Sequence, residues 1–203
     1  ERQMKTLHKI LATLLLGAAC SGCDLTLIPE DTVTPQTYFQ SEVDLRLWTN
    51  QFYTLLDSPD SASGLNADDM VDKSMGDVIS GTRMASDESG WTWTSLRKIN
   101  YYLQNSHNCT DEAARTKYDG VAYFFRAYFY YVKVRRYGDV PWYDTVIGSE
   151  EEELLKKPRE DRGIIMDHVM SDLDDAIDML PRDKDVARVT RWAALAFKSR
   201  VCL

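Results

Sequence analysis

Apolar side chains come in blocks along this 203-residue chain, and most blocks carry a helical period. Leu45, Trp48, Phe52, Leu55 and Leu56 recur at spacings of 3, 4, 3 and 1, as one stripe on a helix would, with Ser41 and Asp44 ahead of them as a capping box. Ile165, Val169, Leu173, Ala176, Ile177 and Leu180 recur at 4, 4, 3, 1 and 3, with Asp167, Asp174, Asp175 and Asp178 on the other side and Pro181 ending the segment. Between these blocks, residues 121–142 read VAYFFRAYFYYVKVRRYGDVPW, and eight of the fifteen residues from Tyr123 to Tyr137 are aromatic. On a helix this run places Val121, Phe125, Tyr128 and Val132 on one stripe, while Phe124, Ala127, Tyr130 and Tyr131 cover other faces. Such a helix requires burial between several neighbours. Gly138 ends it, with Arg135 and Arg136 near its negative pole and Pro141 just beyond. Helices are also expected over Leu96–Gln104, Ala113–Tyr137, Arg162–Leu180 and Thr190–Leu203, the last capped by Thr190 and still apolar where the sequence stops. The pattern predicts an all-α fold, a helical array of stacked hairpins that shares one core, although no strict 34-residue repeat is visible.

Two stretches lack this period. Asp57 to Gly90 holds eight acidic residues, seven serines and four glycines, which predicts a long irregular loop of functional use. At the amino terminus, Lys5, His8 and Lys9 precede ten nearly apolar residues, Ile10 to Ala19. Ten residues are too few for a ~30 Å hydrocarbon core, which takes about 20, so residues 1–22 read as a signal peptide. Ser21-Gly22 before Cys23 resembles a bacterial lipobox, which makes Cys23 the expected lipidated residue and Cys20 the fallback. Residues 23–40, rich in Pro and Thr, then form an extended tether, and 41–203 the helical domain.

Composition narrows the chemistry. A net charge of −8, from 24 basic and 32 acidic residues, argues against a nucleic-acid groove, which needs clustered cations. Cys20-x-x-Cys23 lacks the second pair that a zinc site needs and the folded context of a redox motif, and Cys109 and Cys202 are expected to be unpaired and buried. Asp172, Asp174, Asp175 and Asp178 lie along a helix without the loop glycine of an EF-hand, so no metal is expected there. His107 and His168 stand apart from any catalytic motif, and no carboxylate pair is singled out for glycoside hydrolysis. No cofactor and no catalysis are expected.

Three segments, in order, resemble the SusD/RagB family of surface nutrient-binding lipoproteins of Bacteroidota. Residues 121–142 are similar to its FLRAYYYF-x-LVRxFGDVPL signature. WTSLRKINYYLQN, from Trp93, is similar to its W-x-x-L-x-x-I-N-x-x-L helix. DLDDAIDMLP with RVTRWAALAFKSRVCL is similar to the pattern that follows. The resemblance covers roughly residues 23–203 and implies a tetratricopeptide-like scaffold. Family members are usually more than twice this long, so it also implies an array incomplete at the carboxyl end. By the same resemblance the expected function is capture of oligosaccharides at the cell surface, facing outward on a lipid anchor in the outer membrane, and transfer to a SusC-like TonB-dependent barrel. Peptide capture, a pure scaffold and a surface hydrolase are the rival readings.

Sugar rings offer apolar faces to aromatic planes and hydroxyls to planar polar groups, so exposed aromatics beside Asp, Asn and Arg make a glycan platform. Trp91 and Trp93 stand where the polar loop meets the next helix, and their i, i+2 spacing lets one face solvent while the other faces the core. Trp91 is the better placed for ligand, and Trp93 also reads as a core anchor. Arg83, Asp69 and Asn100 are the accompanying ligand-binding candidates. Arg126, inside the aromatic helix, reads as a buried structural partner.

Overall fold

In the computed structural model of the chain, the described residues are 38–56, 66–67, 70–71, 73, 75–84, 90–148 and 150–203. They belong to one compact unit, Pro35–Leu203. Cys20, Cys23 and Asp69 lie outside them, as does most of the loop from Asp57 to Gly90.

Helix α1 (Glu42–Asn50) starts at the expected capping box, where the Ser41 and Asp44 side chains each bind the other's backbone N–H. It tightens into a 3₁₀ turn over Gln51–Leu55. Leu45 and Phe52 from its stripe are buried, but Leu56, read as part of the stripe, comes after the last turn and is exposed. Inside the polar loop a small antiparallel ladder, β1 (Asn66–Ala67) with β2 (Met70–Val71), and a one-turn helix α2 (Asp77–Ser80) supplement the all-helical pattern. Helix α3 (Thr94–Asn105) leads through a 3₁₀ turn (Ser106–Asn108) to the long helix α4 (Glu112–Tyr137), followed by α5 (Glu152–Leu155), α6 (Arg162–Met179) and α7 (Arg191–Val201).

Helix α4 is the axis of the fold. Asp111 caps its start by accepting from the Ala114 N–H at 3.0 Å. Gly138 ends it at φ +72°, a conformation that favours glycine. Tyr118, Val121, Phe124, Phe125, Phe129 and Tyr130 are all buried, so the aromatic run is enclosed on most sides as its sequence requires. Helices α1 and α3 pack against α4, and its largest interface is with α6. Helix α7 packs on α6 and sends Phe197 against Phe124, Tyr128 and Tyr131 of α4. Close approach of α4 to the end of α6 depends on Gly120, where a β-carbon would lie 2.9 Å from Met179 Cβ and 3.1 Å from Leu180 Cγ.

One buried ion pair crosses this interface. Arg126 donates from Nε and Nη2 to the two carboxylate oxygens of Asp172 at 2.7 and 2.6 Å, with its guanidinium 5.1 Å from the Tyr123 ring centroid and 5.4 Å from that of Trp142. Burial works against the Arg126 charge, but the Asp172 bonds outweigh it and hold the guanidinium above its ordinary pKa. The structural role read for Arg126 is therefore the observed one, and Asp172 leaves the acidic face to meet it.

Two local expectations are corrected. Thr190 occupies the N-cap position of α7 but its side chain makes no capping bond; it is buried, at the foot of the helix beside Val189. Cys202, expected to be buried, is exposed because it follows the last turn, whereas Cys109 is buried and unpaired as expected.

Candidate functional site

A pocket of about 610 Å³ opens between the start of α3 and the segment 141–159. Trp91 and Trp93 form one corner. Trp93 precedes the first residue of α3 and packs at a tilt against Phe129 and Tyr130 of α4, at 5.7 and 6.3 Å between centroids. Trp91 meets Trp93 edge-on at 5.2 Å and Tyr137 at 4.8 Å, and it stays 38% exposed. Lys133 fixes this corner from beneath. Its buried ammonium donates to the Gly90 carbonyl and lies 5.1 to 5.5 Å from the ring centroids of Phe129, Trp93 and Tyr137, so a cation–π cluster supports the platform.

The opposite wall is an irregular segment held by side chains from two helices. Tyr130 of α4 accepts from the Tyr143 N–H at 2.6 Å and donates back to the Tyr143 carbonyl at 3.2 Å. Burial pushes the Tyr130 hydroxyl well above the usual tyrosine range, so it remains protonated as this double role requires. From α3, Asn100 donates through Nδ2 to the carbonyls of Tyr143 and Thr145 at 3.0 and 3.1 Å. Two carbonyl acceptors require the amide nitrogen to face them, which leaves Asn100 Oδ1 buried without a hydrogen-bond partner among the described residues. The Tyr143 ring stands edge-on to Trp93 at 5.6 Å, and its hydroxyl donates to the Leu154 carbonyl at 3.0 Å.

A strap formed by α5 and residues 156–160 closes the third side. The Glu160 N–H donates to the Val140 carbonyl at 3.1 Å, and the Glu160 carboxylate accepts from the Trp142 N–H at 3.2 Å and from Lys157 at 2.6 Å. The Lys157 bond holds the Glu160 carboxyl below its ordinary pKa. Lys157 also donates to the Trp142 carbonyl at 3.1 Å. Arg159 then reaches back across the pocket mouth, with its guanidinium 4.7 Å from the Trp91 ring centroid.

Of the residues singled out in the sequence, Trp91, Trp93 and Asn100 come together in this one pocket. Trp93 takes both of its readings at once, since it packs on the core and lines the pocket. Asn100 is buried and spends its donors on the wall. Arg83 is exposed and is not among the lining residues. Asp69 lies outside the described residues. Sequence reasoning did not find Arg97, Tyr143, Lys157 or Arg159. Tyr143 directly follows the GDVPW turn, the one signal that could have pointed to it; the strap carries no periodicity and no motif.

Residues 91–203 match the family model of a SusD-like group described as starch-binding associating with outer membrane. SusD-like protein P25 of Formosa agariphila is 24% identical over 226 aligned residues, which cover 96% of this chain and 42% of that protein. A SusD-like protein from Bacteroides fragilis superimposes with a TM-score of 0.67 at 24% identity, covering 86% of this chain and 37% of its own. A SusD-like carbohydrate-binding protein from the same species superimposes at 0.66 and 19% identity, covering 82% and 38%. At these identities the two superpositions establish the helical fold. The chain spans less than half the length of these relatives.

Proposed function

Because the chain belongs to the SusD-like family, we propose that it is a non-catalytic glycan-binding protein whose ligand lies in the pocket between Trp91, Trp93 and Tyr143. One observation carries this reading. Trp91 stays 38% exposed at the pocket mouth with Arg159 over its ring, while Trp93 and Tyr137 hold it edge-on and Lys133 supports those two rings. A rigid aromatic plane at the mouth of a pocket suits the apolar face of a sugar ring, and its rigidity lowers the entropic cost of binding. The Arg97 and Arg159 side chains nearby supply planar donors for hydroxyls.

The same reading extends to the cellular role. The chain captures oligosaccharides outside the outer membrane and delivers them to a SusC-like TonB-dependent barrel. Residues 1–22 serve as the leader, Cys23 carries the lipid, and the tether read over 23–40 ends short of its expected bound, since Phe39 is buried against Trp48, Tyr101 and Tyr102 in the core of the helical domain.

Native electrophoresis through gels containing starch, xylan or glucomannan, or an acidic polysaccharide, tests the binding step. The chain is expected to be retarded by at least one of them, and Trp91→Ala to lose about tenfold in affinity or more while its unfolding midpoint in urea stays unchanged. Retardation of the variant equal to that of the parent removes Trp91 from the site. Hydrolysis of any retained polysaccharide would instead favour an enzyme.

A further inference from the structure

Among the described residues, the charged side chains that line the pocket are Arg97, Lys157 and Arg159, and no Asp or Glu is with them. This runs against the chain as a whole, which has 32 acidic residues to 24 basic ones. Lys157 is neutralised by Glu160 at 2.6 Å. The two arginines are not. Arg97 gives one donor to the Ile147 carbonyl, and Arg159 lies over the Trp91 ring; neither has a carboxylate partner among the described residues. A guanidinium carries five donors in a planar fork that matches an oxyanion in pairs, and most of this capacity is uncommitted among the described residues. Concave walls of low polarizability concentrate the field of such charges.

Resting on the glycan-binding reading above, we propose that the pocket selects saccharides bearing carboxylate or sulfate groups, with Arg159 and Arg97 as the specificity-determining residues. Arg159 has two stations in this scheme. Without ligand it rests on Trp91. An anionic sugar draws the guanidinium onto its oxyanion and uncovers the indole for the ring, so recognition of charge and stacking on Trp91 are coupled. A neutral sugar must displace the same guanidinium and offers it no anion in return.

The test uses the whole chain and polysaccharides matched except in charge: polygalacturonate with its carboxyl-reduced form, and carrageenan with its desulfated form, beside neutral starch, xylan and glucomannan. Affinity is read by electrophoretic retardation. The expected result is retention by one charged member at least ~tenfold tighter than by its neutral counterpart, a preference that shrinks with added salt. Which pair shows it separates uronate from sulfate. Arg159→Gln and Arg97→Gln together should erase the preference, and Arg46→Gln, on the exposed side of α1, should preserve it. Equal retention by charged and neutral partners, or retention by neutral polysaccharides alone, overturns the charge selectivity and leaves the glycan reading standing. Retention by none of them overturns that reading and this inference with it. A preference that survives in the double arginine variant overturns the assignment to this pocket.

Discussion

Asp172→Ala should be among the most damaging single changes in this chain. It removes both acceptors of Arg126, a residue only 8% exposed whose guanidinium lies 5.1 Å from the Tyr123 ring centroid and 5.4 Å from that of Trp142. Breaking a buried pair by deleting one member typically costs about 3–5 kcal/mol, because the remaining charge stays buried without compensation. Against a domain stability of roughly 5–15 kcal/mol, that loss brings the fold close to unfolding. Removing both charges is another matter. Arg126→Met with Asp172→Leu exchanges the pair for apolar groups of similar size, and such exchanges are often neutral or stabilising by ~1–4 kcal/mol. The double variant should therefore be more stable than either single one, which implies strong coupling in a double-mutant cycle. Urea unfolding at neutral pH, followed by tryptophan fluorescence and far-UV circular dichroism, gives the four free energies, and Asp172→Asn serves as the milder partner where alanine prevents folding. Single variants that each cost under about 1 kcal/mol, or a double variant that costs the sum of the two, would refute the account of the α4–α6 interface as built around an unrelievable charge.

Gly120→Ala should lose about 1–3 kcal/mol, since its β-carbon would press on Met179 Cβ and the Leu180 backbone, and neither is the end of a flexible side chain; an unchanged urea midpoint would show that α6 can retreat. Burial pushes the Asp119 carboxyl above its ordinary pKa; Ser106 and Tyr102 are close enough to oppose that shift, yet Asp119 Oδ1 and the Tyr102 hydroxyl make no hydrogen bond of good geometry. Its contribution to stability is thus fully present below the unfolded value of about 3.9 and is lost as pH rises through the folded value. Asp119→Asn should match the parent in strong acid and gain on it towards neutral pH, and a difference that stays flat across a pH series of urea midpoints would contradict this. Tyr130→Phe leaves the Tyr143 N–H without its acceptor, a loss of about 1–3 kcal/mol, and should weaken glycan retention although Tyr130 does not line the pocket; unaltered retention would mean that the wall holds its shape without the clamp.

The helices were legible because their signals are local. Residues three and four apart on α6 already show which face is buried, and the Ser41–Asp44 box and Gly138 mark ends that the backbone itself requires. The density of aromatics in α4 indicated that it had neighbours on several sides, but not which ones. Asp172 illustrates the gap. By spacing alone it belongs with Asp174, Asp175 and Asp178 on α6; only the packing of α4 against α6 places Arg126 opposite it, 46 residues away, and makes one aspartate of the group a core residue. Leu56 and Cys202 failed for the converse reason, since an apolar stripe predicts burial only while the turn that carries it continues.

The pocket divides along the same line. Trp91 and Trp93 were found because an aromatic pair at a loop–helix junction is conspicuous in one dimension. Their opposite wall depends on bonds that span 43 and 45 residues from Asn100 and 13 from Tyr130, and its strap on a bridge between Val140 and Glu160. None of these leaves a periodic trace. Segment 141–159 has almost no regular structure of its own, and it keeps its shape because buried donors and acceptors from α3 and α4 satisfy its backbone. Of the two arginines that line the pocket, Arg159 occupies the part of the chain with the weakest local signal, on a frame set by the part with the strongest. Such a strap can change its exposed side chains without disturbing the core, provided that Asn100, Tyr130 and the Glu160 contacts persist. Ligand preference can therefore shift among relatives that share this fold, which is why membership of the family leaves the glycan open.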